Sequence, residues 1–167
     1  AVTGRGSFAE VVQEAVLREP RARVDPAQFA RLIQCLWETL DDEYLGFGRQ
    51  PSKRGTFAMM GHTLIHCRSL DKALRRGSLF YGLFPDAPCI TLQREGDWAR
   101  LSVDDQNLWD PDHFLVESLL VIWHRLGSWL IGQRIRLEEA TFAYPEPAHA
   151  AEYELLFPCS RRFAAGQ

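Results

Sequence analysis

Two groups of side chains are spaced so that they could do chemistry. His62 and His66 stand four residues apart, with Cys67 beside them. Such an i, i+4 histidine pair points one way from a helix and supplies half of a zinc site. No third and fourth ligand follow at suitable spacing and there is no HExxH, so the expectation is helix residues making ordinary hydrogen bonds, and no metal. The second group lies on the long apolar segment Asp112–Ile131. At about 100° per residue, His113, Glu117, His124 and Ser128 fall in one narrow stripe, with Ser118 and Arg125 beside it. Glu117 and His124 could be a general acid and base, but seven residues separate them by about 10 Å of helix rise. A shared polar lining and a solvent-facing stripe both remain open. No GxSxG elbow supports a nucleophile.

Aromatic side chains offer a different chemistry, that of a binding wall. Trp98, Trp123, Trp129, Tyr81 and Phe84 could enclose an apolar ligand, although aromatics at helical spacing are more often core. The candidate ligand-binding set is therefore Tyr81, Trp98, Arg100, Glu117, Trp123 and His124. A pocket of aromatics alone would favour an apolar metabolite. Arg100, Arg136 or Glu117 inside it would favour an amino acid or another charged compound.

The 167 residues suffice for one domain with a proper core. Hydrophobic residues make up 46% and charged residues 25%, which excludes a disordered chain. The net charge of −3 argues against direct nucleic-acid binding, which rests on a basic surplus. Cysteines 35, 67, 89 and 159 form no CxxC pair, so reduced thiols and a cytoplasmic location are expected. Glu117, His124 and Arg125 interrupt the best apolar run, which leaves no membrane span. The N-terminus carries no signal-peptide core.

The elements that would position these residues follow from punctuation and period. Ser7–Leu17 reads as a short amphipathic helix. Asp25-Pro26 starts a helix to Leu40 with Phe29, Leu32, Ile33, Leu36, Trp37 and Leu40 as a core-facing stripe. Residues 41–56 read as a solvated connector: Gly46-Phe-Gly48 lacks the strand and GxxG of a phosphate loop, and Arg49, Lys53 and Arg54 form a basic knot. Helices are expected over Phe57–Cys67 and, capped by Ser69, to about Phe84. The period then changes to two: Cys89–Arg94 and Trp98–Val103 predict a hairpin turning at Glu95-Gly-Asp97. After the acidic loop 104–112 and the long helix, Gly132 leads to a strand over Ile135–Tyr144. Its apolar phase changes within it, which means a bulge near Glu138-Glu139 or a strand that starts at Glu139. A helix over Pro147–Phe157 and the start of a further strand at Phe163 complete an α+β fold. Its helical first half precedes a small, mainly antiparallel sheet with helices packed on it.

Three segments resemble a known family: Arg54–Leu74, the hairpin ending Trp98-Ala-Arg-Leu101, and Trp129-Leu-Ile-Gly-Gln-Arg-Ile135. The strongest match is Thr141-Phe-Ala-Tyr-Pro-Glu-Pro147 with Tyr153, Phe157 and Phe163. Together they are similar to the N-terminal regulatory, "arabinose-binding"-type domain of AraC-type bacterial transcription regulators, in the branch that includes regulators of ornithine or arginine use. The resemblance covers nearly everything from about Val24 onward. Pro158 departs from the glycine expected there, but either residue stops a helix. The resemblance implies one effector-sensing domain over 1–167, a small-molecule effector, and no cofactor. It further implies promoter DNA reached only through a C-terminal helix-turn-helix domain absent from this chain, with a homodimer allowed. The matching positions are packing and turn positions, so no ligand residue carries over. Two other readings stand beside it: a small cytoplasmic enzyme using Glu117 and His124, and a ligand-free dimerisation module.

Overall fold

The computed structural model describes residues 22–165 together with 16, 18 and 19. Of the helix expected over Ser7–Leu17, all but Val16 lies outside the described residues, and Val16 is helical. The chain divides into two compact units, Ala1–Val116 and Glu117–Gln167.

In the first unit, α1 spans Pro26–Leu40. Asp25 accepts from the Gln28 N–H at 2.9 Å, and the Gln28 side chain accepts from the Asp25 N–H at 3.1 Å, a full capping box followed by proline. These bonds satisfy N–H groups that a helix start leaves without intrahelical partners. The apolar stripe exists, but none of its residues is buried. Phe29 and Leu40 are 47% and 48% exposed, so the expectation of a fully core-facing stripe fails.

Residues 41–55 are not a loose connector, because two carboxylates organise them. The Asp42 side chain, buried, accepts from the N–H groups of Tyr44 at 2.8 Å, Gly46 at 2.8 Å and Ser52 at 2.7 Å. Glu43 accepts from Gly55 N–H at 2.7 Å and Phe57 N–H at 2.9 Å. It thereby caps α2 (Thr56–Leu64), whose own N-cap, Gly55, has no side chain to do so. Within the basic knot, Lys53 pairs with Asp41 and Arg54 with Glu38, both in water. α3 runs Leu70–Tyr81 from the Ser69 cap and packs on α2 and on the strand Cys89–Glu95. The Arg76 guanidinium donates to Thr63 O at 3.0 Å, Arg75 donates to Leu92 O at 3.2 Å, and Ser78 Oγ donates to Ile90 O.

β1 (Cys89–Glu95) and β2 (Trp98–Asp104) form the expected hairpin. Ile90 lies opposite Val103 and Leu92 opposite Leu101, so the apolar residues of each strand share a face. Glu95 pairs with Trp98, which leaves a two-residue loop with Gly96 at φ 59°. Positive φ at the first loop position matches the right-handed twist of the strands, and glycine adopts it without strain.

The long helix α4 spans Phe114–Leu130 and carries the chain from the first unit into the second. His113 does not belong to it: its φ is 59°, and Asp110 Oδ2 accepts from Val116 N–H at 2.9 Å at the helix start. The expected polar stripe therefore begins at Glu117.

The second unit packs around one aromatic cluster. Phe142 lies 5.1 Å from Tyr153, 5.4 Å from Phe157 and 5.0 Å from Phe163, centroid to centroid. All three of Phe142, Tyr153 and Phe157 are buried, with Leu120, Val121 and Leu137 against them. Of the two explanations for the phase change, the later start is right: β3 is Glu139–Thr141. β3 pairs in parallel with β4 (Ser160–Arg162), so the fold is α+β with an antiparallel hairpin and a separate parallel pair. The helix expected over Pro147–Phe157 is shorter, a 3-10 turn at Ala150–Glu152 leading into α5 (Tyr153–Leu156).

Candidate functional site

Glu117 sits on the first turns of α4, where the helix enters the second unit. Its Oε1 accepts from the hydroxyls of Tyr144, at 3.0 Å, and Tyr153. The two hydroxyls are 3.2 Å apart. Burial and the hydrogen bond to Glu117 push the Tyr153 phenol up to about 12, against a smaller lowering by the Tyr144 hydroxyl, and burial pushes Tyr144 higher still. Both phenols thus stay protonated and donate to a carboxylate, which ties α4 to the ends of β3 and α5.

Two turns along, His124 Nε2 lies 2.8 Å from Ile135 O. A carbonyl can only accept, so Nε2 carries the proton. Ser128 Oγ accepts from Ile135 N–H at 3.1 Å and donates to His124 O at 2.9 Å. Both polar backbone groups of Ile135 are thereby used by α4, which explains why no strand begins there. Beside His124 lies a cleft of about 210 Å³, lined by Arg134, Ile135, Arg136, Leu137 and Pro158.

The other sequence candidates are scattered. Trp123 is buried on α4. Tyr81 ends α3, buried and edge-on to Phe80 at 5.7 Å, and burial raises its phenol far above the usual range. Trp98, at the closed end of the hairpin, is 62% exposed, and Arg100 is exposed opposite Gln93. Of the set, Glu117, Trp123 and His124 share a helix, but Glu117 and His124 are held by different partners. Among the described residues, no group of three or more metal-ligating side chains gathers at His62, His66 and Cys67 or elsewhere.

The larger cleft of the first unit was missed in the sequence. About 540 Å³ of space lies between the 45–49 loop on one side and Trp109 and Pro111 on the other. Trp109 N–H donates to Phe47 O at 2.7 Å, Arg49 N–H donates to Asn107 O at 3.3 Å, and Gly48 bridges to Leu108. Phe47 is braced against the Phe114 ring at 5.8 Å. A Cβ on Gly48 would meet Gln50 O and Tyr44 Cδ2 at 2.8 Å each, so only glycine fits this close approach. The signal available in the sequence was Asp42 four residues ahead of a Gly-Phe-Gly turn, a carboxylate able to collect loop N–H groups.

These clefts belong to a domain of transcription regulators. Residues 10–167 match the family described as the arabinose-binding domain of AraC transcription regulators, N-terminal, and the chain belongs to that family. A named relative is the Ornithine utilization regulator of Pseudomonas aeruginosa, 24% identical over 154 residues. That match covers 91% of this chain and 45% of the relative, so the chain spans a little under half of the relative's length. Among the described residues, no helix is long and apolar enough to cross a membrane.

Proposed function

We propose that this chain is the effector-sensing part of an AraC-type regulator. A small metabolite binds it and shifts the population of arrangements available to a DNA-binding helix-turn-helix domain that follows Gln167 in the whole protein. Promoter DNA is reached only through that second domain, and a homodimer is the arrangement in which two such domains address one promoter.

The family match over residues 10–167 carries this reading. The geometry supports it too, because Glu117 and His124, the polar residues best placed for catalysis, spend their hydrogen bonds on their own unit.

A thermal-shift panel of amino acids, sugars and fatty acids tests it, with ornithine first because of the relative's name. A ligand at 100 times its Kd adds about 2.7 kcal/mol of stability. At roughly 2–4 °C per kcal/mol for a chain of this size, that raises the Tm by about 5–11 °C. A panel in which no compound shifts the Tm counts against sensing, and a reading frame without a helix-turn-helix region after Gln167 ends it.

A further inference from the structure

We infer that the cleft between the 45–49 loop and Trp109 is the effector's seat, and that it takes a small planar monocarboxylate. This rests on the sensing reading above and adds the place and the ligand class.

Three observations lead there. First, it is the roomier of the two clefts, an open groove of about 540 Å³ against about 210 Å³ beside His124, with room to lay a small flat molecule along one wall. Second, the walls are set before any ligand arrives. Asp42 fixes the loop through three N–H groups, Gly48 lets it close on Tyr44, and backbone bonds tie it to residues 107–109. A loop built this firmly nevertheless leaves Trp109 66% exposed, an indole held open on a fixed support. Third, the lining is apolar apart from one side-chain charge, that of Arg49. Arg49 makes no ion pair among the described residues, although the neighbouring 104–112 loop holds Asp104, Asp105, Asp110 and Asp112. Asp104 and Asp110 instead accept from the N–H groups of Gln106 and Val116.

An exposed guanidinium at the rim of an apolar cleft, with no ion pair among the described residues, selects a carboxylate, which it can hold bidentately. The flat face of Trp109 and the Phe47 side of the cleft select a planar apolar body. A neutral analogue keeps the stacking but loses the charge-assisted bonds.

The test uses 2-naphthoate as the probe and 2-naphthamide as its neutral twin, titrated calorimetrically into the 167-residue chain and its Arg49→Gln and Trp109→Ala variants. Both side chains are exposed, so both variants should keep the parent's circular dichroism and Tm. The expected result is saturable naphthoate binding, weakened about tenfold or more in each variant and for the amide. No saturable binding, or binding undiminished in either variant, overturns the assignment. A panel metabolite that stabilises both variants as much as the parent would remove the effector from this cleft while leaving the sensing reading intact.

Discussion

Replacing Tyr153 by Phe removes one oxygen from the centre of the second unit and little else. The ring keeps its contacts with Phe142 at 5.1 Å, Phe163 at 5.5 Å and Phe157 at 5.8 Å, so the apolar burial is conserved. What disappears is a donor to Glu117, whose Oε1 then accepts from Tyr144 alone, and the 3.2 Å contact between the two hydroxyls. A hydrogen bond to a charged group contributes about 1.5–3 kcal/mol, and Glu117 is half-buried, so the upper part of that range is discounted for water reaching the carboxylate. The expected loss is about 1.5–2 kcal/mol. In urea at neutral pH this appears as a lower midpoint with an unchanged m-value, because the surface exposed on unfolding does not change. Glu117→Gln closes a double-mutant cycle, in which the two substitutions should interact by at least about 0.5 kcal/mol. A Tyr153→Phe chain within 0.5 kcal/mol of the parent, or a strictly additive cycle, would refute the idea that this trio fastens α4 to the second unit.

The pH dependence has a definite sign. The chain has four tyrosines, and all four phenols (Tyr44, Tyr81, Tyr144 and Tyr153) are raised, chiefly by burial. A folded pKa above the unfolded one gives stability that is intact below about pH 10 and lost as pH rises, for Tyr153 through about 12. Absorbance titration at 295 nm should therefore show little tyrosinate at pH 10.5 in the native chain and more than half in urea; equal signals would contradict the burial argument. Gly48→Ala should cost about 1–3 kcal/mol, since one of the two atoms its Cβ meets at 2.8 Å is the backbone oxygen of Gln50 and cannot swing aside. A urea midpoint equal to the parent's would show that the 45–49 loop gives way more easily than its bonds suggest.

How much of this was legible in the sequence depended on distance along the chain. Asp25-Pro26 with Gln28, the Ser69 cap and the hairpin pairing Ile90 with Val103 each rest on neighbours or on a short turn, and each was found. Asp42 ahead of the Gly-Phe-Gly turn was a local hint, but its bond to Ser52 and that of Glu43 to Phe57 span ten and fourteen residues, so a built loop read as a connector. Trp109 bonds to Phe47 across about sixty residues, and that pairing was hidden for the same reason. His113 took a left-handed backbone, which histidine adopts more readily than most side chains, but the helical spacing of the stripe outweighed that signal. The strand expected from Ile135 was lost to competition, because His124 and Ser128 had claimed its N–H and C=O. The candidate site followed the same rule: the residue types in Glu117 and His124 were visible, while their partners were not.

The grip of α4 on Ile135 has a consequence for chain length. His124 and Ser128 are one turn apart, and they take the two backbone groups of a single residue that the chain returns to them through Gly132 at φ 68°. The stretch from Ile131 to Arg134 is therefore a measured span. One residue more or fewer would present the wrong peptide groups to both side chains at once, whereas a change of side chain at Gln133 or Arg134, both exposed, would leave the return path as it is.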